Sequence, residues 1–209
     1  MGLFITLEGG EGAGKTELAR ALAARLVDVD VVVTFEPGGT PLGAVLRERL
    51  FDEAHPLSPW AETFLFLADR ATHVSEVIRP ALARGAAVIC DRFADSTVAY
   101  QGYGRQLDPT LIEALNRQAA GGLVPHLTFF LDVPTQQGLD RSQRARDDRI
   151  GRESIDFHRR VAEGFKQLAL KEPDRIHTLD AARPADEVLE MAWTLIKPRL
   201  AMIGHRTSA

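Results

Sequence analysis

Gly9-Gly10-Glu11-Gly12-Ala13-Gly14-Lys15-Thr16 is the stretch on which the fold turns. An apolar run, Leu3 to Leu7, precedes it, and a helix-like segment, Glu17 to Leu26, follows it. The spacing G-x-x-x-x-G-K-T is that of a phosphate-cradling loop between a strand and a helix. Glycines adopt backbone angles that other residues avoid. The loop can therefore turn its N–H groups inward around phosphate oxygens. The helix that starts there adds the positive end of its dipole. Lys15 is placed to reach the β- and γ-phosphates, and the Thr16 hydroxyl to ligate Mg²⁺. A flexible glycine turn would need neither residue. The expectation is a nucleoside triphosphate site.

Short apolar runs alternate with longer amphipathic ones along the rest of the chain. Strands are expected at Leu3 to Leu7, Val29 to Phe35, Ala86 to Cys90, Leu127 to Leu131 and Arg175 to Leu179. Helix-period segments lie between them, at about 17–27, 41–52, 59–84, 108–120, 152–171 and 185–202. Continuous apolar strands suit a parallel sheet buried on both faces. Strand–helix alternation gives a three-layer α/β fold with a five-stranded parallel sheet. Ligands on such sheets sit at the carboxyl ends of the strands.

The 209 residues suit one sizeable domain or two small ones. At 45% hydrophobic and 26% charged, the composition is that of an ordinary globular protein. A net charge of -4 disfavours a nucleic-acid polymer as partner. The one cysteine, Cys90, sits in an apolar run and reads as a buried thiol in a reducing compartment. No apolar run approaches a membrane span, and no cationic leader is evident, so a cytoplasmic location is expected.

The residues just after each strand carry the remaining chemistry. Glu36-Pro37-Gly38-Gly39-Thr40 follows the second strand, close to where the sheet's ligand should lie, and by itself reads as a plain turn. Asp91-Arg92 follows the third. A carboxylate there can hold Mg²⁺ through water, and the arginine puts a cation near phosphates. The alternative is a surface ion pair. Asp95 to Gly102 then offers small hydrogen-bonding groups and an aromatic, a mixture that suits a nucleoside. Phe66 and Arg70 are four apart on an expected helix and share a face. They suit a nucleobase, or a core edge. Between Thr135 and Arg152 lie Arg141, Arg144, Arg146, Arg149 and Arg152. That segment is either a solvated helix face or a lid that brings guanidinium forks onto phosphates. The six histidines show no metal-ligand spacing, and no G-x-S-x-G elbow is present.

Taken together, LEGGEGAGKT at 7–16, EPGGT at 36–40, FLFLADR at 64–70, DRFADSTVAYQG at 91–102, LDVP at 131–134, DRI at 148–150 and LDA at 179–181 resemble the thymidylate kinase family. The resemblance runs over about residues 3–196. It implies a P-loop nucleoside monophosphate kinase fold, one domain over 1–209 with a lid at about 135–152, and a homodimer. It implies transfer of the ATP γ-phosphoryl group to dTMP with Mg²⁺, giving dTDP and ADP. By that resemblance Gly9, Gly10, Glu11, Gly12, Ala13, Gly14, Lys15 and Thr16 hold ATP, with Arg183 near adenine. Thr16, Glu8 and Asp91 lie near the metal. Glu36 and Pro37 lie by the acceptor's sugar and phosphate. Phe66 stacks on thymine, and Arg70 bonds its edge. Arg92 and Arg47 contact the dTMP phosphate. Ser96, Thr97 and Gln101 line the base site, and Tyr100 packs on the deoxyribose. The P-loop lacks an arginine, so the catalytic cations are Lys15, Arg92 and the lid's Arg144, Arg146 and Arg149, as in the bacterial lid-arginine type. Glu17 stands where many relatives carry a small hydroxyl residue. Two other readings compete: a nucleoside kinase, which has no acceptor phosphate to clamp, and a non-catalytic nucleotide switch, which needs no base pocket.

Overall fold

The computed structural model describes residues 2–142 and 149–200. Five parallel strands form one sheet: β1 (Leu3–Glu8), β2 (Val31–Phe35), β3 (Ala87–Asp91), β4 (Leu127–Asp132) and β5 (Ile176–Asp180). Their order is β2-β3-β1-β4-β5. The chain leaves β1 to one side and returns to its other side, so the switch point lies at the carboxyl end of β1. The P-loop starts there, as the rule for open α/β sheets requires. Register sets Leu7 beside Asp91 and Glu8 beside Phe130, which brings the ends of three strands to one edge.

The central strands β1, β3 and β4 are almost wholly buried. The edge strands differ from the expectation of two buried faces. Val33 and Phe35 on the edge strand β2 are about half exposed, and both line the open cavity described below.

Helices cover both faces. Helix α1 (Lys15–Arg25) and the last helix, Ala185–Leu200, pack Leu18, Leu22, Val188, Ala192 and Ile196 against Ile5, Leu7, Ile89 and Phe129. The opposite face packs Phe130 against Phe157, Val161 and Phe165 of helix Ile155–Lys171, and Phe4 and Val88 against Ile78 and Phe93. Capping residues set the helix starts. Thr40 accepts from Gly43 N–H to open α2 (Pro41–Phe51), and Ser58 accepts from Ala61 N–H to open α3 (Pro59–His73).

The single helix expected over 59–84 is not regular. It widens into a π-turn at Val74–Ile78, where Arg79 N–H reaches back to the Val74 carbonyl, then resumes as α4 (Arg79–Ala83). Pro80 lacks an N–H and would press on the preceding turn, and the wider turn accommodates it. The run after β3 is also helical: α5 (Ala94–Thr97) opens into a second π-turn, Val98–Gly104. Then follow α6 (Pro109–Ala119), α7 (Thr135–Arg141), α8 (Ile155–Lys171) and α9 (Ala185–Leu200). Among the described residues no helix is long and apolar enough to cross a membrane. Cys90 is a buried free thiol.

Candidate active site

A cavity of about 700 Å³ opens at the carboxyl edge of the sheet, a size suited to small-molecule ligands. The P-loop forms one wall. Gly12 takes a left-handed backbone (φ 64), and a Cβ there would lie 2.0 Å from the Gly138 carbonyl oxygen of α7. Gly14, also left-handed at φ 88, caps α1. The loop therefore passes close under the start of the arginine-rich segment. Lys15 curls back so that Nζ donates to the Gly10 carbonyl at 2.7 Å and the Gly9 carbonyl at 3.2 Å. Burial, then nearby Arg92, lowers its pKa from 10.5 to about 8. The Thr16 hydroxyl donates to Asp91 Oδ2 at 2.6 Å.

Arg92 stands at the end of β3 with a left-handed backbone, φ 69. A non-glycine residue held there costs ~1–3 kcal/mol and persists where its surroundings over-determine it. Here they do. Its backbone N–H bonds Leu7 O, and its guanidinium donates to Gly9 O at 2.9 Å, Ser96 Oγ at 3.2 Å, Glu11 Oε1 at 2.8 Å and Tyr100 Oη at 3.1 Å. Burial alone would raise the pKa of Glu11; Arg92 and then Lys15 outweigh it and hold the carboxyl at about 2.

A second, deeper set lies on α3. Glu36 is buried and accepts from Arg70 Nε at 3.0 Å and from His73 Nδ1 at 2.9 Å. His73 Nε2 meets the Thr34 hydroxyl at 2.6 Å. Arg70, 1% exposed, also donates to the Phe93 carbonyl and to Asn116 Oδ1 of α6. Its hydrogen bonds aim the guanidinium, and Arg70 still lines the cavity. Phe66, Ser96, Thr97, Tyr100 and Gln101 line the same region, with Arg47 at the rim donating to the Pro37 carbonyl.

The family profile described as thymidylate kinase matches residues 7–192. The chain belongs to the thymidylate kinase family. It is 52% identical over 202 residues to a thymidylate kinase of Synechococcus sp. (strain JA-2-3B'a(2-13)), covering 96% of this chain and 97% of that one. It is 49% identical over 207 residues to one from Deinococcus radiodurans, covering 98% of each. A crystal structure of thymidylate kinase from Ehrlichia chaffeensis superposes with a TM-score of 0.79 at 34% identity, over 93% of this chain and 98% of that one.

Within this thymidylate kinase fold, the residues expected at the site do not all meet. Lys15, Thr16, Glu36, Pro37, Arg47, Phe66, Arg70, Asp91, Arg92, Ser96, Thr97, Tyr100 and Gln101 line one cavity. Glu11 lines it too, but its carboxylate serves Arg92 and Tyr100, away from the loop's own N–H groups. Glu8, expected near the metal, lies fully buried beneath the cavity, its oxygens taken by Phe93 N–H at 2.8 Å and the Ser96 hydroxyl at 2.5 Å. Arg183, expected near adenine, is half exposed and pairs with Asp180 and Glu187. Arg149 bonds the Leu50 carbonyl and Glu62, and among the segment's described arginines Arg141 reaches the cavity wall. Arg144 and Arg146 lie outside the described residues. Sequence reasoning passed over Glu62, His73 and Asn116. Glu62, Phe66, Asp69 and His73 do recur at helical spacing, and polar residues on an otherwise apolar helix face were the available signal.

Burial, then the Asp95 carboxylate, raises the Glu8 pKa from 4.5 to about 7. An acid raised on folding contributes stability below its unfolded pKa and loses it as pH rises through the folded one. The window runs from about 4.5 to about 7. Glu8→Gln is therefore expected to flatten the fall in stability across that window, with a relative gain on the order of 1–3 kcal/mol at pH 8. Urea unfolding of both proteins from pH 4.5 to 8 measures it; parallel curves would refute it.

Proposed function

We propose that this cleft performs the thymidylate kinase reaction, transfer of the γ-phosphoryl group of ATP to dTMP, with the residue roles that follow. One observation carries the assignment: a single carbonyl, Gly9 O, accepts from both Lys15 Nζ and the Arg92 guanidinium. One cation belongs to the triphosphate loop and the other to the wall that continues into the nucleoside-lined end. Two phosphates drawn to these cations meet side by side, which is the arrangement phosphoryl transfer needs.

No enzyme nucleophile is required. An oxygen of the dTMP phosphate attacks the γ-phosphorus in line, and the bond to the ADP oxygen breaks. Lys15 neutralises charge on the transferring group. Arg92 orients the acceptor phosphate, with Arg47 at the rim. Phe66 stacks on the base, Arg70 donates to its edge, and Tyr100 packs on the sugar. Arginines of the lid at about 135–152, including Arg141, complete the charge balance.

The residues present fit Mg²⁺. The Thr16 hydroxyl and the Asp91 carboxylate stand together at the cavity wall. Among the described residues no cluster of three metal-ligating side chains occurs. That suits an ion that takes most of its ligands from phosphates and water. Mg²⁺ bound there would supply charge neutralisation on the β- and γ-oxygens.

The same reading includes a homodimer and a cytoplasmic setting. Leu42 and Val45 of α2 and Phe64 of α3 are exposed, and Trp60 stacks on Phe64. These two packed helices offer the apolar face for a second copy.

The test is an ADP-release assay with ATP and Mg²⁺ against dTMP, dUMP, dCMP, dGMP, AMP, UMP and thymidine. Strong turnover on dTMP, weak on dUMP and none on thymidine is the expected result. Turnover on thymidine would overturn the roles of Arg92 and Glu36.

A further inference from the structure

A glutamine amide is ambiguous by itself: one end accepts a hydrogen bond and the other donates. Gln101 lies on the second π-turn, is 1% exposed, and lines the cavity beside Arg70 and Phe66. Which end it shows to a ligand depends on what holds the other. Its Nε2 donates to Glu62 Oε1 at 2.9 Å. Among the described residues its carbonyl oxygen takes no hydrogen bond, and that oxygen is not sealed from the cavity.

Glu62 permits no other arrangement. It is 1% exposed on α3. Oε1 also accepts from Arg105 Nε at 3.0 Å, while Oε2 accepts from Arg105 at 3.0 Å and from Arg149 at 2.6 Å. Burial would raise its pKa, but Arg105, then Gln101 and Arg149, outweigh that and lower it. An ionised carboxylate only accepts. The Gln101 amino group must therefore point at Glu62, and the carbonyl must point into the cavity.

We propose that Glu62 is a positioning residue for base selection: by holding Gln101 with its carbonyl toward the ligand, it makes the site accept a pyrimidine whose ring N3 carries a hydrogen and reject one whose N3 is bare. Arg70 offers a donor and Gln101 an acceptor. Thymine and uracil present the complement, an O4 acceptor beside an N3–H donor. Cytosine presents the reverse, an amino donor beside a bare N3, and so leaves two buried groups unmatched. This inference rests on the reading of the cavity as the dTMP site.

Glu62→Gln tests it. Three of the four donors around this side chain come from arginines, so the new amide turns its oxygen to the Arg105 and Arg149 side and its amino group to Gln101. Gln101 then flips and shows its own amino group to the base. The expected result is a dTMP:dCMP ratio of kcat/KM lowered at least about tenfold, through KM for dTMP, with kcat nearly kept. Arg105→Gln, which loosens Glu62 without touching the Gln101 contact, is expected to keep the ratio. An unchanged ratio in Glu62→Gln overturns the proposal, as does an equal loss in Arg105→Gln. Gln101→Ala separates the two levels. If it leaves both KM for dTMP and the ratio unchanged, the placement of the base fails; if it raises KM and lowers the ratio and Glu62→Gln does neither, only the role of Glu62 fails. Should Glu62→Gln not fold, the wild-type side-chain amide decides. Gln101 NH₂ protons that stay protected from exchange when dTMP binds support the proposal, and an NH₂ group that leaves Glu62 to hydrogen-bond the base refutes it.

Discussion

Lys15→Met is expected to lower kcat by about 10²–10³-fold, the usual cost of removing one preorganised donor from a developing charge. Methionine keeps most of the apolar stem, so the 7% exposed position stays filled and the loop keeps its path. What is lost is the ammonium now parked on the Gly9 and Gly10 carbonyls. Neither carbonyl gains anything by keeping it once phosphate oxygens arrive, because they offer full charge. The depressed pKa of about 8 adds a second readout. Above that pH the free enzyme's Lys15 is largely neutral, and bound triphosphate restores its proton. Calorimetry of ATP binding at pH 9 in buffers of different ionisation heat should show proton uptake in the wild type and none in Lys15→Met. Turnover at the wild-type level in the ADP-release assay would remove Lys15 from the mechanism.

Arg70→Ala is expected to cost ~3–5 kcal/mol of stability, the range for breaking a buried ion pair from one side. The change leaves the Glu36 carboxylate, 4% exposed, with His73 as its remaining side-chain partner among the described residues. It also removes the donor that Arg70 gives to Asn116 Oδ1 and one donor to the Phe93 carbonyl. The loss should appear as a lower urea midpoint with an unchanged slope. Binding of dTMP should weaken as well, since the donor at the base edge goes with it. Arg70→Lys keeps the charge but not the planar fork, so it should recover part of the stability and little of the binding. Unchanged stability in Arg70→Ala would mean that Glu36 and His73 form a sufficient pair without it.

The sheet was legible because β1, β3 and β4 are buried on both faces and therefore read as unbroken apolar runs. The difference between centre and edge was not, since Val33 and Phe35 are as apolar as Ile5 and Leu7. The π-turns escaped notice because nothing local distinguishes Val98–Gly104 from a loop; its shape is set by packing against α8, with Gly104 leaving room for the Phe157 ring. The P-loop was readable from spacing; for Asp91 and Arg92 the residues alone left a surface ion pair open, and their roles came from the resemblance. Glu62 was not: its partners Gln101, Arg105 and Arg149 lie 39, 43 and 87 residues away, and only the folded chain brings them together. Glu8 shows the converse. It ends β1, and the resemblance puts it near the metal, yet Phe93 N–H and the Ser96 hydroxyl take its oxygens beneath the cavity.

Gly12 and Gly138 meet backbone to backbone, with room for a side chain on neither: a Cβ on Gly12 would press on Gly138, and one on Gly138 would lie 2.5 Å from the Glu11 carbonyl oxygen. Neither position can accept even a methyl group first and wait for the other to adapt. Selection under a drug aimed at the triphosphate pocket would therefore find no single-step escape at this seam.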